Sequence, residues 1–311
     1  MSEPSSEALS FLSKAEMGLG AWAWGDRIFW NYGHGYTDAD IQAAFRTSLE
    51  AGINLIDTAE VYGQGRSERL LGQFIREAHK PVLVATKFFP YPWRLSRGTL
   101  PRALRHSLDR LGLEKVDLYQ IHQPFPPVAL ETWAEGLAEV VRAGLTRTVG
   151  VSNYDRNQMQ RAYTVLARLG VPLASNQVPY HLLDRKVEKN GLLDRCKELG
   201  VRLIAYSPLA MGLLTGKYSP SNPPPGIRGR RYGPLLEATQ SLVALLTEIG
   251  EDHGDKAPGQ VALNWVICKG ALPIPGAKTE RQAAQNAGAT GWRLTVEQVK
   301  ALDDASDKIV A

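Results

Sequence analysis

The chain has 311 residues, 44% of them hydrophobic and 22% charged, with a net charge of +4 and a pI near 9.0. That length can bury a large core, and the positive charge is too diffuse for a nucleic-acid partner, since no Lys/Arg stripe with interleaved aromatics occurs. Cys196 and Cys268 make no disulfide framework or zinc pattern, and neither a leader-like segment nor a membrane-length apolar run of about 18 residues is found, so a cytoplasmic protein without membrane insertion is expected.

Short apolar runs alternate with amphipathic stretches along the chain. AEMGLG (15–20) is the first predicted strand, followed by the aromatic-rich stretch 21–36 and a helix over 38–51. Thr37 precedes Asp38 and Asp40 there, a capping hydroxyl ahead of acidic first-turn residues. Strands follow at 53–59, 82–87, 116–122 and 146–153, separated by helices at 67–79, 98–111 and 129–143. A helix over 155–169, a strand over 173–178, a helix over 188–199 and a strand over 201–207 continue the alternation. Next comes a proline- and glycine-rich segment, 216–234, which excludes a regular element. Because it follows strand seven it reads as a lid on the active-site face, with Arg228, Arg230 and Arg231 a solvated basic face. Helices at 235–253 and 258–269, a last strand at 271–276 and helices at 279–288 and 295–306 close the chain.

Eight strands with crossover helices admit an open doubly wound sheet or a closed barrel. Even strand spacing, no composition break and polar residues gathered at the strand C-terminal ends favour a (β/α)8 TIM barrel with extra C-terminal helices and a long loop after strand 7. A single domain over 1–311, with its core at about 15–306, is expected.

The strand-end residues carry the chemistry. Taken singly, Asp57 is a turn former, Tyr62 a packing residue, Lys87 a snorkelling amine and His122 a core histidine. In a barrel they converge on one axis and form a unit. An ammonium beside a phenol stabilises the phenolate, and a carboxylate holds that ammonium in place. A histidine can hydrogen-bond a substrate oxygen. Such a set can protonate a carbonyl oxygen as hydride reaches its carbon. Neither HxH nor HExxH occurs to bind a metal, and GLGAWA (18–23) is no complete dinucleotide fingerprint.

GLGAWAWG, NLIDTAEVYG, VATKF, DLYQIH, VGVSNY, NQVPYH, AYSPLAMGLLTGKY and IPGAKTERQAAQN occur in the order of a known family. Through them the chain resembles an aldo-keto reductase over residues 15–306, most closely the bacterial, plant and potassium-channel-β-subunit-like branch. The resemblance implies a barrel that binds NADPH, with NADH the less favoured alternative. It makes Tyr62 the general acid, Asp57 and Lys87 its tuning pair and His122 the residue that orients a small-molecule carbonyl substrate. It places Gly20, Ala21 and Trp22 with the cofactor, Ser152, Asn153 and Gln177 on the nicotinamide carboxamide and Tyr206 on its ring. Ser207, Leu209, Gly212 and Lys217 fall on the pyrophosphate segment, and Gly276, Lys278, Thr279, Gln282, Gln285 and Asn286 on the adenosine segment. Lys278 and a helix start would favour a 2′-phosphate there.

Aromatic residues on loops at that face predict a flat, apolar substrate pocket built from Trp24, Phe88, Trp93 and Phe125. Arg27 and Arg94 are read as exposed loop arginines without specific partners, and Glu60 is given no role. The chief alternative is an NADPH-binding auxiliary or redox-sensing protein with little turnover; another is a barrel isomerase or lyase without nicotinamide.

Overall fold

The computed structural model describes residues 6–225, 229–230 and 233–310. Arg228 and Arg231 of the expected lid lie outside these residues; Arg230 is exposed. The eight strands are β1 (Leu19–Gly20), β2 (Leu55–Asp57), β3 (Leu83–Phe88), β4 (Val116–Ile121), β5 (Thr146–Ser152), β6 (Leu173–Pro179), β7 (Arg202–Tyr206) and β8 (Leu272–Ile274). They pair in parallel in sequence order. The ring is closed between its ends by a parallel Gly20–Gly276 bridge and by the Gly18 N–H bonded to the Pro273 carbonyl at 3.0 Å. The chain is therefore a (β/α)8 barrel, as expected.

The helices begin with α1 (Ser6–Lys14), α2 (Asp38–Glu50), α3 (Arg66–Glu77), α4 (Thr99–Leu111), α5 (Leu130–Arg142) and α6 (Arg156–Arg168). After them come α7 (Lys186–Lys189), α8 (Leu192–Leu199), α9 (Leu236–Asp252), α10 (Pro258–Cys268), α11 (Glu280–Ala287) and α12 (Val296–Val310). Among the described residues no helix is long and apolar enough to cross a membrane.

The strand period of two decides what faces the axis. Leu55, Ala85 and Leu118 pack together inside the barrel, whereas Ile56, Val84, Tyr119 and Ile121 join the core beneath the helices. Two residues on from the first set stand Asp57, Lys87 and Gln120, so the same inward row turns polar at its C-terminal end. The axis thus has an apolar floor and an ionic upper layer.

Helix α1 was not expected from the sequence. It closes the N-terminal mouth by seating Phe11 and Leu12 against Leu55, Ala85, Leu118, Ile204 and Leu272. Burial of this kind contributes about 1.5–3 kcal/mol per apolar side chain. At the far end of the chain, Arg185 pairs with Glu188, Asp303 and Asp307, and Lys269 with Glu188 and Asp303, tying α12 to the barrel wall.

Candidate active site

The turn between β2 and α3 presents Tyr62. Gly63 and Gly65 have φ of 53° and 80°, a left-handed path that glycine follows without a Cβ clash. A Cβ on Gly63 would lie 2.7 Å from the Gly25 carbonyl oxygen, so the turn also needs that residue small.

Lys87 and Asp57 are buried, with Nζ 2.5 Å from Oδ1. The ammonium also donates to the Thr58 carbonyl at 2.8 Å and to Tyr62 Oη at 3.3 Å. Asp57 Oδ2 accepts from Gln177 Nε2 at 2.8 Å and from Gln120 Nε2 at 3.4 Å. The ion pair is therefore hydrogen-bonded on both sides, the condition under which two buried charges are tolerated. Burial works against the Lys87 charge, but Asp57 and Tyr62 outweigh it and its pKa is raised. The Tyr62 pKa is also raised: burial dominates, Lys87 pulls it down and Asp57 pushes it up. The lysine alone was expected to lower it. The phenol is thus a proton holder at neutral pH.

His122 stands edge-on to Tyr62, with ring centroids 5.7 Å apart. Burial, with Lys87 adding to it, drops its pKa to about 3, so the imidazole is neutral. Its Nδ1 is buried and has no hydrogen-bond partner among the described residues. Beyond it, Ser152 Oγ donates to the Gln177 carbonyl at 2.8 Å, and Asn153 Nδ2 to the His122 carbonyl at 3.0 Å. Tyr206 Oη donates to Asn153 Oδ1 at 3.0 Å. Asn153, Ser207, Ala210 and Met211 all have positive φ. Left-handed backbone in non-glycine residues is costly and gathers where function requires it.

Tyr62 and His122 open into an elongated cavity of about 640 Å³. It runs past Ser152, Asn153, Gln177 and Tyr206, then along Ser207, Leu209, Gly212 and Lys217, to Gly276, Lys278, Gln282, Gln285 and Asn286. Gly20, Trp22 and Asp57 line it as well. Arg281 and Trp30 contribute to its far end.

A model of the aldo/keto reductase family matches residues 16–307. The chain belongs to that family. It is 44% identical over 308 residues to the chloroplastic pyridoxal reductase of Arabidopsis thaliana, covering 95% of this chain and 84% of that protein. The solved glycerol dehydrogenase of Gluconobacter oxydans superposes with a TM-score of 0.83 at 30% identity, over 95% of this chain and 92% of that one. An aldo-keto reductase of Klebsiella pneumoniae, solved in complex with NADPH, superposes with a TM-score of 0.73 at 30% identity, over 93% of this chain and 90% of that one.

Several expected site residues of this aldo/keto reductase do not reach the cavity. Trp24 is fully buried, donates from Nε1 to the Ala277 carbonyl at 3.0 Å and packs on Phe45 and Phe74. Phe88 follows inward-facing Lys87 and so points outward, against Trp133. Its neighbour Phe89 turns the other way, its ring centroid 5.6 Å from that of His122 and 6.0 Å from that of Phe125. Phe125 and Trp93 are 45% and 72% exposed, on the rim, and Trp93 stacks on Tyr91. Ala21 is buried, its N–H bonded to the Asp57 carbonyl. Thr279 caps α11, its Oγ1 accepting from the Gln282 N–H at 3.3 Å.

Glu60 and Arg94 correct the expectation that neither has a specific role. Arg94 Nη1 pairs with Glu60 Oε1, and Nη2 lies 3.0 Å from Oε2. Glu60 Oε1 also accepts from the Phe89 N–H at 2.7 Å, while Arg94 donates to the Phe89 carbonyl at 2.8 Å. Both backbone groups of Phe89 are held by one ion pair. Lys278 has its ammonium 4.4 Å from the Trp30 ring centroid and 4.7 Å from that of Tyr36, which ties the β1 loop across the far end of the cavity.

Proposed function

We propose that this chain reduces aldehydes or ketones to alcohols with NADPH, and that Tyr62 is the general acid. The observation that carries the proposal is the chain Asp57–Lys87–Tyr62, which ends in a hydroxyl on the cavity wall beside neutral His122.

The donor set along the cavity suits a dinucleotide phosphate. Ser152, Asn153 and Gln177 offer amide and hydroxyl groups at the catalytic end, with Tyr206 a flat surface beside them. Lys217 lies midway, and Lys278, Arg281 and the start of α11 supply positive potential at the other end. When bound, the dihydronicotinamide supplies the hydride. The residues of the chain manage the proton. Tyr62 holds it at the substrate oxygen because its raised pKa keeps the phenol protonated at neutral pH. Lys87, charged and 3.3 Å away, stabilises the phenolate left when that proton moves. Asp57 fixes Lys87 and prevents the ammonium from losing its own proton. His122, neutral, orients the carbonyl oxygen through a ring N–H without competing as an acid.

The substrate is read as a carbonyl compound with a flat body, for Trp22 and Phe89 stand on either side of Tyr62 and His122. The similarity to a pyridoxal reductase makes pyridoxal a natural member of the test panel. Mixing the protein with NADPH and 4-nitrobenzaldehyde and following absorbance at 340 nm tests the proposal. Steady loss of absorbance supports it. Tryptophan quenching by NADPH without turnover on any aldehyde or ketone of a broad panel would point to a cofactor-binding auxiliary instead.

A further inference from the structure

A second cavity, of about 390 Å³, adjoins the first and shares Trp22, Tyr206, Ser207 and Met211 with it. Part of its wall is aromatic. Trp22 stacks on Phe29 with centroids 5.0 Å apart, and the Trp22 ring lies 6.4 Å from that of Tyr62. A flat body that starts at the Tyr62 hydroxyl can therefore follow one continuous aromatic surface from the first cavity into the second.

The rest of the wall includes the turn after β6, with His181 and Asp184. Two backbone bonds close that turn: the Asp184 N–H to the His181 carbonyl at 2.8 Å, and the His181 N–H to the Asp184 carbonyl at 3.3 Å. His181 Nδ1 accepts from the Leu183 N–H at 3.1 Å. A ring nitrogen that accepts a hydrogen bond carries no proton, and burial drops the pKa of this ring to about 4. The imidazole is therefore neutral, with its single proton on Nε2. Among the described residues no group bonds that nitrogen. Asp184 adds an acceptor: among the described residues its Oδ1 takes only the Lys186 N–H at 3.4 Å, and the ammonium of Lys186 is 3.9 Å from Oδ2. Neither His181 nor Asp184 has a part in the proton chain at Tyr62.

We propose that the second cavity is a subsite for the far end of the substrate and that it selects a hydroxyl group there, with His181 Nε2 donating to the hydroxyl oxygen and Asp184 accepting its proton. The substrate class is then an aldehyde or ketone with a flat ring that carries a hydroxyl remote from its carbonyl. The proposal rests on the carbonyl-reductase reading above, which supplies the position of the carbonyl end.

A matched pair of aldehydes tests it: 3-(4-hydroxyphenyl)propanal and 3-(4-methylphenyl)propanal. The saturated spacer insulates the carbonyl from the ring substituent, so the two differ in what the ring end meets and not in carbonyl reactivity. The readout is the ratio of their kcat/KM values with NADPH. In the wild-type protein the hydroxyl compound is expected to be favoured about tenfold or more, as befits a partly open site that provides both a donor and an acceptor. His181→Asn retains an oxygen in the place of Nδ1 for the Leu183 N–H but lacks the Nε2 donor, and should bring the ratio close to one. Leu235→Trp fills the same cavity from its half-buried lip and should do likewise, which keeps the test decisive if the first variant fails to fold. A wild-type ratio near one, or a preference that survives in a folded variant, overturns the subsite while leaving carbonyl reduction intact. No reduction of either aldehyde by the wild-type protein overturns the subsite together with the reading on which it rests, provided 4-nitrobenzaldehyde is also left untouched; if 4-nitrobenzaldehyde is reduced, only the subsite falls.

Discussion

Lys87→Met removes the ammonium from the centre of the site and retains most of the side chain's volume. Asp57 then keeps a buried charge without its partner, and breaking a buried pair on one side costs about 3–5 kcal/mol. Its bonds to Gln177 and Gln120 remain, at 2.8 and 3.4 Å, and these bring the expected loss to the low end, about 3 kcal/mol. For a chain of this size each kcal/mol moves Tm by about 2 °C, so the midpoint should fall by roughly 6 °C. The pH dependence has a definite sign. The folded-state pKa of Lys87 lies above its ordinary 10.5, so its contribution is complete below that pH and is lost as the pH rises through the folded value. Raising the pH from 7 to 11 should therefore destabilise wild type more than the variant. Activity should fall by about 10²–10⁴ in kcat, because Tyr62 loses the charge that stabilises its phenolate. Thermal unfolding followed by circular dichroism, with kcat from NADPH consumption, measures both. A midpoint within a degree of wild type together with a kcat within a few-fold would refute the reasoning.

Other consequences are open to direct measurement. Glu60→Ala frees the Phe89 N–H and removes the anion that holds Arg94 against the Phe89 carbonyl, so KM for a flat aldehyde should rise about tenfold, more than kcat falls; equal changes in the two would place Glu60 elsewhere in the mechanism. With His122 held to about 3 and Tyr62 above its ordinary range, kcat/KM for reduction should be level from pH 5 to 9. A break near 6.5 in that profile would mean that the histidine is the acid. The lowered pKa values of His122 and His181 act on stability in the opposite sense to Lys87. Their contribution is present above about 6.5 and is lost as pH falls toward the folded values of about 3 and 4. Lys278→Ala should weaken NADPH binding about tenfold more than NADH binding and alter the fluorescence of Trp30, with Kd titrations deciding; an unchanged ratio of the two would remove Lys278 from phosphate recognition.

Much of this site was legible in the sequence because a barrel brings strand ends together whatever the intervening helices are. Asp57, Lys87, His122 and Gln177 could be placed on one axis from the alternation alone. The misplacement of Phe88 was avoidable, since an inward Lys87 requires an outward neighbour, and the same period of two points to Phe89. Trp24 was harder: nothing in AWAWG distinguishes a tryptophan that lines a cavity from one that packs on Phe45 and Phe74. Glu60 and Arg94 come from different loops, and no local pattern links them. Helix α1 was missed because SEALSFLSK offers only a short apolar face, and it becomes a helix by closing the barrel mouth. The tautomer of His181 depends on one backbone N–H two residues on, a detail that only coordinates supply.

Tyr62→Phe tests the central proposal most directly. The substitution removes one oxygen, keeps the ring beside Trp22 and His122 and leaves the ion pair behind it in place. NADPH should quench tryptophan fluorescence with nearly the wild-type Kd, while reduction of 4-nitrobenzaldehyde falls by at least about 10²-fold. A variant that binds NADPH normally and still turns over within tenfold of wild type would contradict the assignment of Tyr62 as the acid.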